Sequence, residues 1–182
     1  MKKTILILAV FAVAISFAAE ENKKELSKET DKVARIDKKD LGQYSMKLLP
    51  NAKDFEKKEN KSTEYYLGYD KDKKLAGYII PSSAKGHSDL IKLLVGVDSE
   101  YILVDFVIIY QAETEEYYIN VEKDANFPKQ FPGKKKDDIT IKSQKTPDGK
   151  IDLVSGASLS STAITKGIKK ALESAEKISK EK

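Results

Sequence analysis

Cysteine and tryptophan are missing altogether from this chain of 182 residues, and histidine occurs once, as His87. Without cysteine there is no disulfide framework, no thiolate zinc site, no iron–sulfur cluster and no thiol redox chemistry, so any electron chemistry must come from a group that cysteine does not hold. With one histidine and no carboxylates clustered at ligand spacing, no metal site is expected; Asp70-Lys71-Asp72 opens like a calcium loop but lacks the glycine and distant glutamate, and reads as a turn. A strong charge of one sign is also lacking. The formal net charge is +4, with 33 Lys and Arg against 29 Asp and Glu, and lysine and glutamate are interspersed, so a nucleic-acid role has no support.

Long apolar runs are scarce too. The uncharged stretch Thr4–Ala19 counts 16 residues, short of the roughly 20 that cross a bilayer, and nothing later is apolar enough to span. Lys2-Lys3, the apolar run Ile5–Ile15 and Ser16-Phe17-Ala18 make the three parts of a signal peptide, residues 1–18, with cleavage expected after Ala18. The rival reading is a retained N-terminal anchor. Loss of Lys2 and Lys3 takes the charge from +4 to +2. Residues 19–30, rich in Lys and Glu, read as a polar tether, and residues 31–178 as one domain, enough for a single core.

Within that domain, Leu48-Leu49-Pro50 ends a helical segment and Phe55 begins an extended one. Strands are expected at Glu64–Tyr69, Leu75–Ile80, Leu90–Val97 and Tyr101–Tyr110, with tight connections that favour antiparallel pairing. The pairs Phe127-Pro128 and Phe131-Pro132 limit any helix there to a short piece, Ile139–Ile141 suggests one more short strand, and Ile151–Val154 runs extended. Ser160–Ile178 places Ala163, Ile164, Ile168, Ala171, Leu172, Ala175 and Ile178 at helical spacing, an amphipathic helix packing one face on the sheet. No internal repeat is present. The fold class is α+β, an antiparallel sheet flanked by helices.

The most informative segment is Asp152-Leu-Val-Ser155-Gly156-Ala157-Ser158-Leu159-Ser160-Ser161-Thr-Ala. Small residues and five hydroxyls fall where an extended run meets a helix, so free backbone N–H groups and the positive end of the helix dipole face whatever sits there. A phosphate is the natural occupant. The bland alternative is a capping turn with Ser160 or Ser158 as N-cap.

Asp152-x-x-Ser155-Gly156-Ala157-Ser158 resembles the Asp-x-x-(Ser/Thr)-Gly-Ala-(Thr/Ser) signature of the FMN-binding domain family, which includes the flavin-bearing subunits of Rnf and sodium-pumping NADH:quinone oxidoreductase complexes. Leu49-Pro50-Asn51-Ala52, Gly77-Tyr78, Gly86 leading into Ile91–Asp98, and Phe127 with Gln130-Phe131 follow the family's order of landmarks over about residues 45 to 175. The resemblance implies FMN bound covalently through a phosphoester to Ser158, donated from FAD by a separate Mg-dependent flavin transferase that recognises Asp152; physics alone equally allows Asp152 to brace the turn. The resemblance also implies electron transfer outside the cytoplasmic membrane, on the periplasmic or extracellular face, with membrane or periplasmic donor and acceptor proteins as partners.

Gly156 and Ala157 leave room for phosphoryl groups, and Ser160 and Ser161 are expected to hydrogen-bond the finished diester. Ser155 and Leu159 complete the candidate cofactor-binding set, with Glu113, Thr114 and His87 as further candidates near the ring. Glu113 and Thr114 read equally well as polar residues of an edge strand, and His87 as an incidental loop residue. Tyr65-Tyr66 and Tyr117-Tyr118 are candidates to stack on the ring, or strand tyrosines of which one points inward. The chain departs from the family after its Val-rich strand. Where respiratory members have His-x-Glu-Thr-Pro-Gly-Leu-Gly, it has Gln111-Ala-Glu113-Thr114-Glu-Glu-Tyr-Tyr118.

By that reading the chain is an electron carrier or oxidoreductase component, free-standing or docking on a membrane oxidoreductase, in preference to a stand-alone enzyme; a reductase acting on a small substrate would need a substrate pocket and a proton donor, which the sequence does not display. The alternative is a non-flavinylated extracytoplasmic binding or adaptor protein of the same fold.

Overall fold

The computed structural model describes residues 38–60 and 63–180; the expected signal peptide, tether and start of the domain at residue 31 lie outside them. Helix α1 (Lys38–Leu48) comes first and stops one residue before Leu49, which Pro50 keeps out of helical geometry. Five strands follow: β1 (Asp54–Asn60), β2 (Thr63–Tyr69), β3 (Leu75–Lys85), β4 (Leu90–Asp98) and β5 (Leu103–Tyr110). Each pairs antiparallel with the next, in the order β1-β2-β3-β4-β5. Then come α2 (Glu115–Lys123), two 3-10 turns at Pro128–Gln130 and Lys136–Asp138, and α3 (Ser158–Lys180).

Side chains alternate across a strand, so the sheet sorts its residues onto two faces. Tyr78 and Ile80 of β3 and Leu93, Val95 and Val97 of β4 join α3's Ile164, Ile168 and Leu172 on one face. Ile79 and Leu94 lie on the other, under α1's Leu48 with Leu49 and Ala52. Both faces of the central strands are therefore covered, which explains why Leu90–Val97 reads as an almost unbroken apolar run. At Gly96 the C-terminal end of α1 presses on the sheet: a Cβ there would lie 2.0 Å from the Leu48 carbonyl oxygen.

The structure extends or corrects several expectations. β3 continues past Ile80 through Pro81 to Lys85. A proline is tolerated because β2 pairs with β3 only as far as Tyr66 opposite Ile79, leaving Pro81 paired on the β4 side alone. Ile139–Ile141 is no strand but a single parallel bridge, Ile141 to Ile151. Tyr117 and Tyr118 lie in α2, where no strand exists, and Glu113 and Thr114 follow the end of β5 and so belong to no edge strand.

Candidate functional site

Helix α3 delivers the signature to the surface. Its first intrahelical bond is Ser161 N–H to the Ala157 carbonyl at 2.9 Å, which leaves the N–H groups of Ser158, Leu159 and Ser160 without an acceptor inside the helix. The loop before it turns on Ala157 N–H to Val154 O, 3.1 Å, and on Gly156 at φ +75°, a left-handed conformation that favours glycine. Gly156 also lies against α2, where an added Cβ would come within 3.0 Å of Asn120 Nδ2.

The serines at the head of α3 play different parts. Ser158 is exposed, and no hydrogen bond ties down its hydroxyl among the described residues. Ser161 is fully buried; its Oγ donates to Ala157 O at 2.8 Å and accepts from Val154 N–H at 3.3 Å, stitching the loop to the helix. Ser160 is buried and donates to the Glu113 carboxylate. Neither Ser158 nor Ser160 is an N-cap, because neither hydroxyl bonds a first-turn N–H. The Ser160 and Ser161 hydroxyls, expected to bond a diester, are engaged within the protein in this structure, although Ser160 also lines a depression beside Ser158.

The loop's other end is held by Gln130, which in the sequence is no more than a landmark. Gln130 accepts from Asp152 N–H at 2.8 Å and donates to Asp152 O at 3.0 Å. It is itself fixed between buried Phe127 and Phe131, whose rings meet edge-to-face at 5.2 Å. The Asp152 side chain is 71% exposed, with Lys142 Nζ 3.8 Å away. Bracing of the turn thus falls to Gln130, and the Asp152 carboxylate faces solvent.

Ser158 opens on a depression of about 340 Å³ lined by His87, Gly156, Ala157, Ser158, Leu159 and Ser160. Leu159, 60% exposed, is the largest apolar side chain beside it. Ser155 is exposed on the loop. Glu113 is 9% exposed and accepts the N–H groups of His87, Ser88 and Asp89. Burial pushes its carboxyl up, yet the hydrogen bonds from Ser160 and those three amides outweigh burial and hold it below the usual carboxylate range. Thr114 Oγ1 meets Ser88 Oγ at 2.9 Å. Glu113 and Thr114 therefore support the His87 loop and do not line the depression.

Tyr118, whose burial pushes the phenol up to about 12, lines a separate apolar cavity of about 220 Å³ with Phe106, Val121, Phe127 and Ile164. Tyr65 and Tyr66 sit in the two cores. None of these three tyrosines lines the Ser158 depression. Among the described residues no group of three His, Cys, Asp or Glu is placed to hold a metal, and no helix is long and apolar enough to cross a membrane.

One component of the proton-translocating ferredoxin:NAD(+) oxidoreductase complex of Clostridium ljungdahlii is 35% identical over 129 residues, covering 71% of this chain and 69% of its own. A component of the ion-translocating oxidoreductase complex of Methanosarcina acetivorans is 25% identical over 135 residues, 69% and 70% of the two chains. The crystal structure of Shewanella oneidensis NqrC aligns with a TM-score of 0.46 at 18% identity, over 77% of this chain and 72% of that one. The sequence pattern of the FMN-binding domain matches residues 86–173, the hairpin loop of His87 through most of α3. With the pattern spanning the His87 loop and the signature loop, and the Clostridium relative 35% identical over 71% of this chain, the chain belongs to the FMN-binding domain family.

Proposed function

We propose that this chain carries FMN as a phosphoester on Ser158 and works as an electron-carrying component, outside the cytoplasmic membrane, of an ion-translocating oxidoreductase complex of the kind its two relatives belong to. The observation that carries the reading is the Ser158 hydroxyl: exposed, unpartnered among the described residues, and set on the first turn of a 23-residue helix beside a glycine at φ +75°. Attachment makes an Oγ–P bond and breaks the pyrophosphate of FAD, with AMP leaving and the hydroxyl proton passing to a base of the separate flavin transferase.

The residues fit such a group. Gly156 and Ala157 put no bulk beside Ser158, and the N–H groups at the start of α3 face a phosphate's charge, worth about 0.3–1 kcal/mol at an exposed helix end. His87 and Leu159 give the open depression an aromatic edge and an apolar wall for a planar ring system. The exposed Asp152 carboxylate is where a transferase can read the motif. Bound flavin supplies the redox chemistry, and the protein sets its position and exposure.

The test is co-expression with a flavin transferase, denaturing electrophoresis and in-gel fluorescence. A fluorescent band in the wild type that vanishes in Ser158→Ala and persists in Ser158→Thr is the expected result. A dark wild-type band beside a fluorescent control substrate overturns the proposal in favour of a non-flavinylated adaptor.

A further inference from the structure

The turn Gly86–Asp89 between β3 and β4 carries His87, which lines the depression, as does Ser160 at the head of α3. Glu113 lies between them. Its Oε2 accepts His87 N–H at 2.8 Å and the Ser160 hydroxyl, and its Oε1 accepts Ser88 N–H at 2.9 Å and Asp89 N–H at 3.1 Å. Gly86 makes room for this group: a Cβ there would stand 2.6 Å from the Glu113 carboxyl carbon. Four donors converge on one acceptor-only group, and all four acceptor positions of a carboxylate are used.

We infer that Glu113 is the positioning residue of the Ser158 depression, fixing the His87 loop against the head of α3. A glutamine there supplies one acceptor oxygen instead of two. Whichever way its amide turns, two of the four donors face an NH₂ group, either Ser88 and Asp89 or His87 and Ser160, so the hold on the His87 loop loosens while the Ser158 hydroxyl is untouched. The same geometry explains why Glu113-Thr114 persists although the family's Pro-Gly-Leu-Gly loop does not follow it: Thr114 adds a hydroxyl contact to Ser88, and α2 begins directly afterwards.

The flavin half of the test rests on the attachment proposed above; the first half does not. In unmodified protein, Glu113→Gln is expected to speed amide hydrogen exchange at His87, Ser88 and Asp89 by about tenfold or more, with Val95 in β4 unchanged. Unchanged exchange at those three amides overturns the inference. In flavinylated protein, Glu113→Gln and His87→Ala are expected to shift the flavin midpoint potential in the same direction, and the double variant to shift it no further than the larger single change. Additive shifts, or a shift in His87→Ala alone, overturn it. Should Glu113→Gln fail to fold, Ser160→Ala removes one donor, and a smaller rise in exchange at the same amides is the expected result. Intact mass shows independently whether flavin is attached, so failure of the attachment reading leaves the exchange result standing.

Discussion

Alanine at each of the three serines heading α3 separates the hydroxyl that holds structure from the one that is free to react. Ser161→Ala takes the acceptor from Val154 N–H, in a residue only 4% exposed; an orphaned buried N–H costs about 1–3 kcal/mol, offset by roughly 0.5 kcal/mol from alanine's higher helix propensity. Ser160→Ala removes a hydroxyl donor from an ionised carboxylate, at about 1.5–3 kcal/mol. Ser158→Ala removes a solvent-facing hydroxyl with no hydrogen-bond partner among the described residues, and stays within about 0.5 kcal/mol of the wild type. A chain of this size loses roughly 3 °C in Tm per kcal/mol. Thermal melts of unmodified protein followed by circular dichroism are thus expected to fall by about 2–9 °C for Ser160→Ala and Ser161→Ala and by less than about 2 °C for Ser158→Ala. If Ser158→Ala melts as low as Ser161→Ala, the Ser158 hydroxyl is a structural cap and no free nucleophile.

Acid should act through Glu113. Its carboxyl is held below the usual range, so its contribution is present above the unfolded value of about 4.3 and lost as pH falls through the lower folded value. Urea midpoints measured from about pH 6 down to pH 3 should drop less steeply in Glu113→Gln than in the wild type, and equal slopes would rule this out. Gly96→Ala drives a methyl into the Leu48 carbonyl and should cost about 2–3 kcal/mol in urea unfolding by forcing α1 off the sheet; a cost near zero would show that α1 is loosely held. Gln130→Ala drops both hydrogen bonds to the Asp152 backbone, so the time course of flavin fluorescence with a transferase should slow relative to wild type although Ser158 is unchanged. An unchanged rate would mean that the clamp is dispensable.

Much of the fold is legible in the sequence because it rests on local periodicity. The α3 stripe from Ala163 to Ile178 is buried throughout, and four of the five strands announce themselves through Tyr, Ile, Val and Leu. β1, Asp-Phe-Glu-Lys-Lys-Glu-Asn, carries one large apolar residue, so only its extended start at Phe55 is legible, and its length and partner come from its pairing with β2. Helix α2 does not emerge from the sequence reading, although Glu115 and Glu116 in its first turn and Lys123 in its last suit the helix dipole; likeness to the family's loop hides that signal.

At the site, residues close in sequence are recognisable and those brought there by folding are not. Asn120 reaches Gly156 only through the placement of α2, and no sequence pattern marks it. Gln130 stands within a recognisable Phe-Pro-x-Gln-Phe-Pro frame, but its partner, 22 residues away, is set by the packing of Phe127 and Phe131. The inward hydrogen bonds of Ser160 and Ser161 are not legible either, because burial does not follow from the spacing of small residues.

The central claim meets its most direct test in the tryptic peptide running from Ile151 to Lys166, which contains every hydroxyl of the signature. After co-expression with a flavin transferase, mass spectrometry with fragmentation is expected to find one FMN minus one water on that peptide, localised to Ser158. An unmodified peptide, or a flavin on Ser155, Ser160 or Ser161, contradicts the assignment.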